Sequence, residues 1–281
     1  MTNRELASIV KNQKPLMLAA SETVRQACRC MRECQSGSVL VVDAERRLLG
    51  IFTGRDAVRF LAEGNDVGAA VLVHAMTRDP VTIHPSNRAI DALHPMAKGC
   101  FRHVPVTEEG RIKGVVSHGA LKGMELEEYQ WQHSGPPRGP ASSFRSIANV
   151  LKGQDVLLVS EGETVQHACR AMWERKCGSS LVVDDAQRLS GIFTGRNAVR
   201  VLATNADPAT TPTKDAMTRN PVTMTSEGSA IDALRAMSDG GFRHLPLIEN
   251  GKVLGVVSRG DFTGLEIDRL DEEEHLTEVI W

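Results

Sequence analysis

The sequence has few aromatic residues, almost no net charge and no long apolar run. Only 4% of its 281 residues are Phe, Trp or Tyr, so its core must be built from aliphatic side chains and methionine. No apolar stretch reaches the roughly 20 residues of a membrane span, because Arg, Asp or Gly interrupts each candidate. The net charge of −2 provides no general attraction for nucleic acid or an anionic membrane, so neither is expected as a partner.

Signals for export, metal binding and catalysis are also missing. The six cysteines form no C-x-x-C pair, and the first residues contain no apolar stretch typical of a secretory signal. We therefore expect a cytoplasmic protein with reduced thiols. The sequence shows no nucleophile beside a base, no metal-ligand spacing and no P-loop, which predicts that it is not an enzyme and holds neither a metal nor a catalytic cofactor.

What the sequence does contain is an internal repeat. Shifted by 141 residues, it aligns with itself without a gap, so that 37–62 matches 178–203. Each half also repeats more weakly within itself, since LLGIFTGRD (48–56) resembles IKGVVSHGA (112–120). Repetition of this kind predicts four small structural units, two in each half.

Each unit shows the element order β-α-β-β-α. In the fourth unit Ser229 is a good N-cap for an apolar stretch at helical spacing, and Asn250-Gly251 between two apolar runs is a strong hairpin signal. A second helix opens near Asp261. The predicted fold class is therefore α/β of the α+β type. Because so short a unit cannot bury its sheet alone, we expect the two units of each half to pair sheet to sheet.

The repeats also predict the domain boundaries. They are an N-terminal segment at 1–13, unit 1 at 14–65, unit 2 at 74–126, a linker at 127–146, unit 3 at 147–206, unit 4 at 215–267 and an acidic tail at 268–281. The linker contains SGPPRGPASS, whose prolines and glycines disfavour regular structure.

The four units resemble the CBS domain, which in tandem pairs forms a Bateman module. The resemblance covers nearly the whole chain and is carried by a strand-end motif, GIFTGRD at 50–56 and GVVSRGD at 255–261, together with FRHxP in units 2 and 4. It implies two Bateman modules, which in this family tend to form a flat disc. The alternatives are a self-contained disc with pseudo-two-fold symmetry and a homodimer that exchanges halves, with the modules head-to-head or head-to-tail.

In that family the strand-end motif binds adenosine compounds, so the resemblance implies AMP, ADP or ATP as a regulatory ligand. A Ser or Thr hydroxyl would reach a phosphate or ribose oxygen, and the acid three positions later would accept from the ribose hydroxyls. Units 1 and 4 have the full motif, unit 3 has Asn in place of the acid, and unit 2 has Ala120, so its site is expected to be empty or non-standard. The ribose-binding candidates are Thr53, Asp56, Thr194, Asn197, Ser258 and Asp261.

The resemblance also implies that the basic residues of FRHxP meet the nucleotide phosphates. The candidates are Arg102, His103, Arg243 and His244. Units 1 and 3 carry serines at the matching positions and would borrow an arginine from the paired unit. Additional candidates around the clefts are Ser38, Arg55, Thr77, Ser117, Ser179, Arg196, Thr218 and Arg259. Thr77 and Thr218 are also expected to begin the first strands of units 2 and 4.

Some of these residues also have a purely structural interpretation. Asp56 and Asp261 are suited to cap a helix, and the histidines to satisfy backbone groups. The leading functional hypothesis is a regulatory protein that binds an adenine nucleotide and signals to a protein partner. The alternative is an interaction scaffold with partly decayed ligand sites, which Ala120 and Asn197 would fit.

Overall fold

The computed structural model of the chain describes residues 4–134, 145–151, 155–264, 266–268 and 270. In the first half the helices are α1 Leu6–Val10, α2 Val24–Glu33, α3 Gly54–Ala62, α4 Leu72–Ala75, α5 Ala89–Gly99 and α6 Gly123–Ser134. In the second half they are α7 Ile147–Leu151, α8 Val165–Glu174, α9 Gly195–Leu202, α10 Thr213–Ala216 and α11 Ala230–Asp239. Short 3₁₀ turns lie at His118–Ala120 and Arg259–Asp261, and residues 264, 266–268 and 270 are helical.

The strands follow the same order in both halves. They are β1 Met17–Ala19, β2 Ser38–Val42, β3 Leu48–Thr53, β4 Thr77–Arg78, β5 His103–Glu108 and β6 Arg111–Ser117, then β7 Leu158–Ser160, β8 Ser179–Val183, β9 Leu189–Thr194, β10 Thr218–Arg219, β11 His244–Glu249 and β12 Lys252–Ser258. Strands β1 to β4 form one sheet and β7 to β10 another, each with its first pair parallel and the others antiparallel. The hairpins β5–β6 and β11–β12 are the sheets of units 2 and 4. The mixed α and β architecture of the prediction is confirmed.

The first strand of each even unit differs from the prediction. Thr77 and Thr218 were expected to begin the first strands of units 2 and 4, but β4 and β10 pair with β3 and β9 of the preceding odd units. Asp79 follows β4 with a φ of 44°, and Pro80 has no backbone N–H to donate, so the strand ends there. What remains of the third strand in unit 2 is a single parallel bridge from Ile83 to Val106.

The two sheets of each half pack against each other. All five residues of β2 are buried, which requires that both faces of this strand are covered. A bridge joins Arg47 of unit 1 to Arg111 of unit 2. The ring of His103 packs on Gly37, where an added Cβ would lie 3.0 Å from the His103 Nε2 atom. The paired modules that the sequence predicts are therefore present.

The hydrophobic cores, however, run between the halves. The odd core joins units 1 and 3, with Phe52 and Phe193 fully buried and α3 packed on α8 and α9. The even core joins units 2 and 4 and includes Leu6 and Leu234. Helices of opposite halves therefore share hydrophobic cores, in addition to the pairing of sheets within a half.

Two pairs of glycines mark the pseudo-two-fold relation. An added Cβ on Gly54 would lie 3.2 Å from the backbone of Gly195, and one on Gly123 would overlap the carbonyl oxygen of Gly264. Glycine permits this close approach of backbones. Unit 1 therefore faces unit 3 and unit 2 faces unit 4, which is the head-to-head arrangement, formed within one chain.

The segments that precede each half belong to the even units. The predicted N-terminal segment 1–13 contains α1, whose Val10 packs against Gly114 of unit 2. Helix α7 likewise packs on unit 4, with Leu151 against Gly255, although residues from 147 onward were assigned to unit 3. Helices α1 and α7 thus precede the odd units in sequence, but they bury their apolar side chains in the core of the even units. No helix in the described part of the chain is long and apolar enough to cross a membrane.

The predicted linker is shorter than expected. Helix α6 continues through Ser134, so residues 127–134 of the predicted 127–146 linker are helical. The Pro/Gly stretch at 135–144 and residues 271–281 of the predicted tail lie outside the described residues.

Two bidentate ion pairs hold these segments, and the sequence analysis did not anticipate them. The Arg4 guanidinium donates to both carboxylate oxygens of Glu125, at 2.9 and 3.0 Å, and to the carbonyl of Ala120 at 3.1 Å. Arg145 donates to Glu266 at 2.9 and 3.0 Å and to the Asp261 carbonyl at 3.0 Å. The two glutamates are buried, so the paired charge is shielded from water.

Candidate functional site

In unit 1 the strand-end motif forms a closed hydrogen-bond network. The buried carboxylate of Asp56 accepts from the Thr53 N–H and hydroxyl at 2.9 and 2.8 Å, closing the capping box of α3. It also accepts from the Thr77 hydroxyl at 2.7 Å and the Arg59 guanidinium at 3.1 Å. Both carboxylate oxygens thus have partners within the chain. The structural interpretation of Asp56 is observed, and its ribose-binding role stays a prediction.

In unit 3 asparagine keeps the cap but changes the outer contacts. The Asn197 Oδ1 atom accepts from the Thr194 N–H and hydroxyl at 3.0 and 2.9 Å. Its Nδ2 atom donates to the Ala216 carbonyl at 2.9 Å and to the Thr218 Oγ1 atom at 3.3 Å. Arg200 donates to the same Ala216 carbonyl rather than to the residue at the motif position. At the position where the Asp56 carboxylate of unit 1 accepts hydrogen bonds, the Asn197 amide of unit 3 therefore donates them.

The even units present their motifs on 3₁₀ turns. The Ser258 N–H donates to the Asp261 carboxylate at 2.6 Å, which closes a capping box after β12. In unit 2 the same turn follows Ser117, but Ala120 provides no carboxylate. The Asp261 carboxylate reaches across to unit 2 electrostatically, because it raises the pKa of Arg102 against the larger lowering by burial.

One cavity lies between the even units. It encloses about 310 Å³ of empty space, including its open mouth, and is lined by Arg102, His118, Gly119, Arg243, Arg259 and Gly260. These residues form three pairs related by the 141-residue repeat. The backbone positions them, since the His118 N–H donates to the Arg102 carbonyl at 2.8 Å and the Arg259 N–H to the Arg243 carbonyl at 3.0 Å. The two phosphate-binding candidates Arg102 and Arg243 therefore meet, together with Arg259.

The cavity is strongly cationic. Burial lowers the pKa of Arg243, and the charges of Arg102, Arg196 and Arg259 lower it further. The pKa of His118 is lowered by burial first and then by three arginines, so His118 is neutral at pH 7. Among the residues that the structure describes, no carboxylate pairs with Arg243. An anion in the cavity would relieve this repulsion.

His103 and His244 lie beside the cavity in half-buried positions. Each ring packs on a glycine of the paired odd unit, Gly37 for His103 and Gly178 for His244. Burial and the neighbouring arginines lower the pKa of both histidines to about 4. They are therefore neutral at pH 7, and any phosphate contact would be made by an uncharged imidazole. That contact stays a prediction.

The remaining candidates have contacts or positions of their own, and their part in ligand binding stays a prediction. Arg55 donates to the Cys100 carbonyl at 2.6 Å, and its guanidinium lies 5.9 Å from the centre of the Trp173 ring. Arg196 donates to the Gly241 carbonyl at 3.2 Å and contributes positive charge near Arg243. The hydroxyl residues Ser38 and Ser179 are buried at the start of β2 and β8.

The sequence analysis missed His118. The strand-end motif marks the hydroxyl residue and the acid, but not the residue between them that faces the cavity. Alignment with Arg259 in the repeat was the signal that could have identified it. Within the described residues, no group of three His, Cys, Asp or Glu side chains is placed to hold a metal ion.

Comparison with known proteins agrees with this architecture. The family model of the CBS domain matches residues 7–63, 69–123, 150–204 and 214–266. The CBS domain-containing protein CBSCBSPB2 of Arabidopsis thaliana is 30% identical over 260 residues, covering 84% of this chain and 48% of the plant protein. CBSCBSPB3 of the same plant is 28% identical over 265 residues with the same coverage. The chain thus spans about half the length of these curated relatives.

An archaeal protein matches over more of its own length. Protein MJ1225 of Methanocaldococcus jannaschii is 25% identical over 198 residues, 69% of each protein. Its crystal structure superposes with a TM-score of 0.74 and 17% identity, covering 94% of this chain and 99% of that chain, which shows the same fold. Since the family model covers all four units, the chain belongs to the CBS domain family and carries two tandem CBS pairs.

Proposed function

We propose that this chain is a regulatory protein that binds an adenine nucleotide, AMP, ADP or ATP, with its phosphates in the cavity between the even units. The observation that carries the proposal is the convergence of Arg102, Arg243 and Arg259 on that cavity. Guanidinium groups offer forked, permanently charged donors that suit phosphate oxygens. Held together without an anion, they repel one another, and a phosphate chain would turn that repulsion into attraction.

The position of the cavity suggests how binding would be transmitted. Arg102 belongs to the first half and Arg243 to the second, so a phosphate contacted by both would tie the halves across the pseudo-two-fold axis. A protein partner would then read a change in how the halves pack. This is regulation by differential binding to two arrangements, and it requires no catalytic step.

Likeness to a nucleotide-regulated system supports the nucleotide as ligand. MJ1225, which shares the fold, has been proposed as an archaeal homolog of g-AMPK. In the present chain the adenosine would lie next to a strand-end motif. Asp261 and Asp56 are the ribose-binding residues that we propose, and Asn197 is expected to bind ribose more weakly because its amide cannot accept on both atoms.

Isothermal titration calorimetry with AMP, ADP and ATP tests the proposal. We expect Arg243→Gln to lower nucleotide affinity at least tenfold. The variant removes a guanidinium charge that pairs with no carboxylate of the described residues and is therefore available to a phosphate. The control is Arg188→Gln, which removes one positive charge from an exposed pair with Asp184. The proposal fails if the native chain binds none of the three nucleotides, or if the two variants bind equally well.

A second candidate is an interaction scaffold whose ligand sites are decaying. Both carboxylate oxygens of Asp56 already have partners within the chain, and Ala120 has no carboxylate, which favours this alternative. Capture of a binding partner with immobilised protein, in the presence and absence of ATP, separates the two. Equal capture, combined with no calorimetric signal, would support the scaffold.

A further inference from the structure

The cavity is symmetric in its fold but asymmetric in its charge. The repeat relates Arg102 to Arg243 and Ala120 to Asp261. Arg102 has the carboxylate of Asp261 near it, and that carboxylate raises its pKa. The position that would serve Arg243 in the same way is occupied by Ala120, and beside burial the charges that lower the pKa of Arg243 are those of Arg102, Arg196 and Arg259.

The missing carboxylate is not a sign of a disrupted turn. The Ala120 carbonyl accepts from Arg4 at 3.1 Å, and the Asp261 carbonyl accepts from Arg145 at 3.0 Å. Both turns are 3₁₀, and each follows the equivalent hairpin of its own unit. The backbone of unit 2 is therefore held as in unit 4, and the difference at position 120 is one of side-chain charge.

The remaining groups increase the imbalance. Arg259 lines the cavity on the unit 4 side, while its counterpart His118 is neutral in the cavity at pH 7. Three guanidinium groups therefore line the cavity, and the nearby Asp261 carboxylate offsets the charge of one of them, Arg102. The excess positive charge is centred on Arg243 and Arg259, on the side that lacks the acid.

We propose that the cavity binds one condensed phosphate chain, a linear di- or triphosphate, at Arg243 and Arg259, and that Ala120 determines this by leaving Arg243 without a counter-charge. The chain would be either free or the end of a nucleotide, since the recognised chemistry is the same. Ala120 is thus a specificity residue and not the remnant of a lost ribose site. The inference rests on the phosphate part of the proposed function and extends it to the inorganic anion.

Calorimetric titration of the full chain with inorganic tripolyphosphate tests this assignment. We expect Ala120→Asp to lower the affinity at least tenfold, because the new carboxylate would pair with Arg243 and repel the anion. The matched control is Ala120→Asn, which has nearly the same shape without the charge and should bind within twofold of the native chain. Equal binding by the Asp and Asn variants would overturn the proposal.

A double variant separates net charge from the pairing of Arg243. Ala120→Asp combined with Asp261→Ala restores the net charge but leaves Arg243 paired with a carboxylate, so the affinity for tripolyphosphate should stay at least tenfold below that of the native chain. Thermal unfolding of each variant shows that it is folded. A folded double variant that binds tripolyphosphate as tightly as the native chain would show that net charge, and not the pairing of Arg243, controls binding, and would overturn the assignment to Arg243.

Parallel titrations with ATP and adenosine distinguish this inference from the proposed function. Tripolyphosphate binding without ATP binding would refute the nucleotide proposal and leave the inference standing. ATP or adenosine binding with no tripolyphosphate binding would refute the inference alone.

Discussion

Residues related by the repeat act as natural substitutions within one environment. Val39 in β2 lies in the odd core, and its counterpart in β8 is Ser180, which is fully buried. Among the described residues, the Ser180 hydroxyl has no hydrogen-bond partner. A buried hydroxyl without a partner loses its hydration and gains nothing in return. The second half therefore contains an unpaired buried hydroxyl at a position where the first half has valine.

Ser180→Val should stabilise the protein by about 1–2 kcal/mol, because it removes the unpaired hydroxyl and adds apolar burial. Urea unfolding followed by circular dichroism gives the change. The reciprocal variant, Val39→Ser, should destabilise the protein by about 2–3 kcal/mol. A destabilising Ser180→Val would show that the hydroxyl is satisfied in solution by a bound water or another group.

At the scale of elements, short helices complete units that they do not adjoin in sequence. Helix α1 precedes unit 1 but packs into the even core, where Leu6 is fully buried. A five-residue helix has little stability of its own, so tertiary contacts must hold it. The Arg4–Glu125 pair provides a polar contact at the start of that segment, and Arg145–Glu266 provides the same for α7.

Arg4→Ala should destabilise the protein by about 3 kcal/mol, because it leaves the buried Glu125 carboxylate without its partner. Amide exchange at residues 6–10 should accelerate with it. Arg145→Ala is expected to behave alike. Arg47→Ala, which breaks a pair that is largely exposed, should change stability by less than about 1 kcal/mol. Equal effects of Arg4→Ala and Arg47→Ala would contradict a stabilising role for the buried pair.

At the scale of the whole molecule, positive charge is concentrated where the two even units meet. The net charge is only −2, yet arginines from two halves share one cavity, and burial together with these arginines keeps the nearby histidines neutral. Because the folded protein lowers the pKa of His103 and His244 to about 4, the unfolded chain takes up these protons first as the pH falls. The contribution of the neutral histidines to the free energy of unfolding is fully present above about pH 6.5, and it is lost as the pH falls from about 6.5 to about 4.

Urea unfolding between pH 7 and pH 4, in buffers without phosphate, should show this loss. Each histidine is expected to contribute a fall of up to about 1.4 kcal/mol per pH unit in the free energy of unfolding. The double variant His103→Gln, His244→Gln should have a flatter profile. The control, His167→Gln, removes an exposed histidine and should leave the slope unchanged. A double variant as steep as the native chain would mean that other groups cause the acid sensitivity.

Much of the local structure could be predicted from the sequence. The repeat, the strand and helix order and the Asn250-Gly251 turn depend on spacing and on residue type, which are local properties. Arg102 and Arg243 were predicted as two separate candidates, and their convergence on one cavity was not predicted. Their meeting, and the neutrality of His118, depend on which unit faces which.

The sequence by itself determined four CBS units in two pairs, because an ungapped repeat imposes the same local fold twice. Only the tertiary structure decided that like units face each other, that α1 and α7 pack on the even units, and that Thr77 joins the sheet of unit 1. These are long-range choices, fixed by the close approach of Gly54 to Gly195 and by apolar surfaces far apart in the chain. Local sequence patterns do not indicate which distant segments of the chain will pack together.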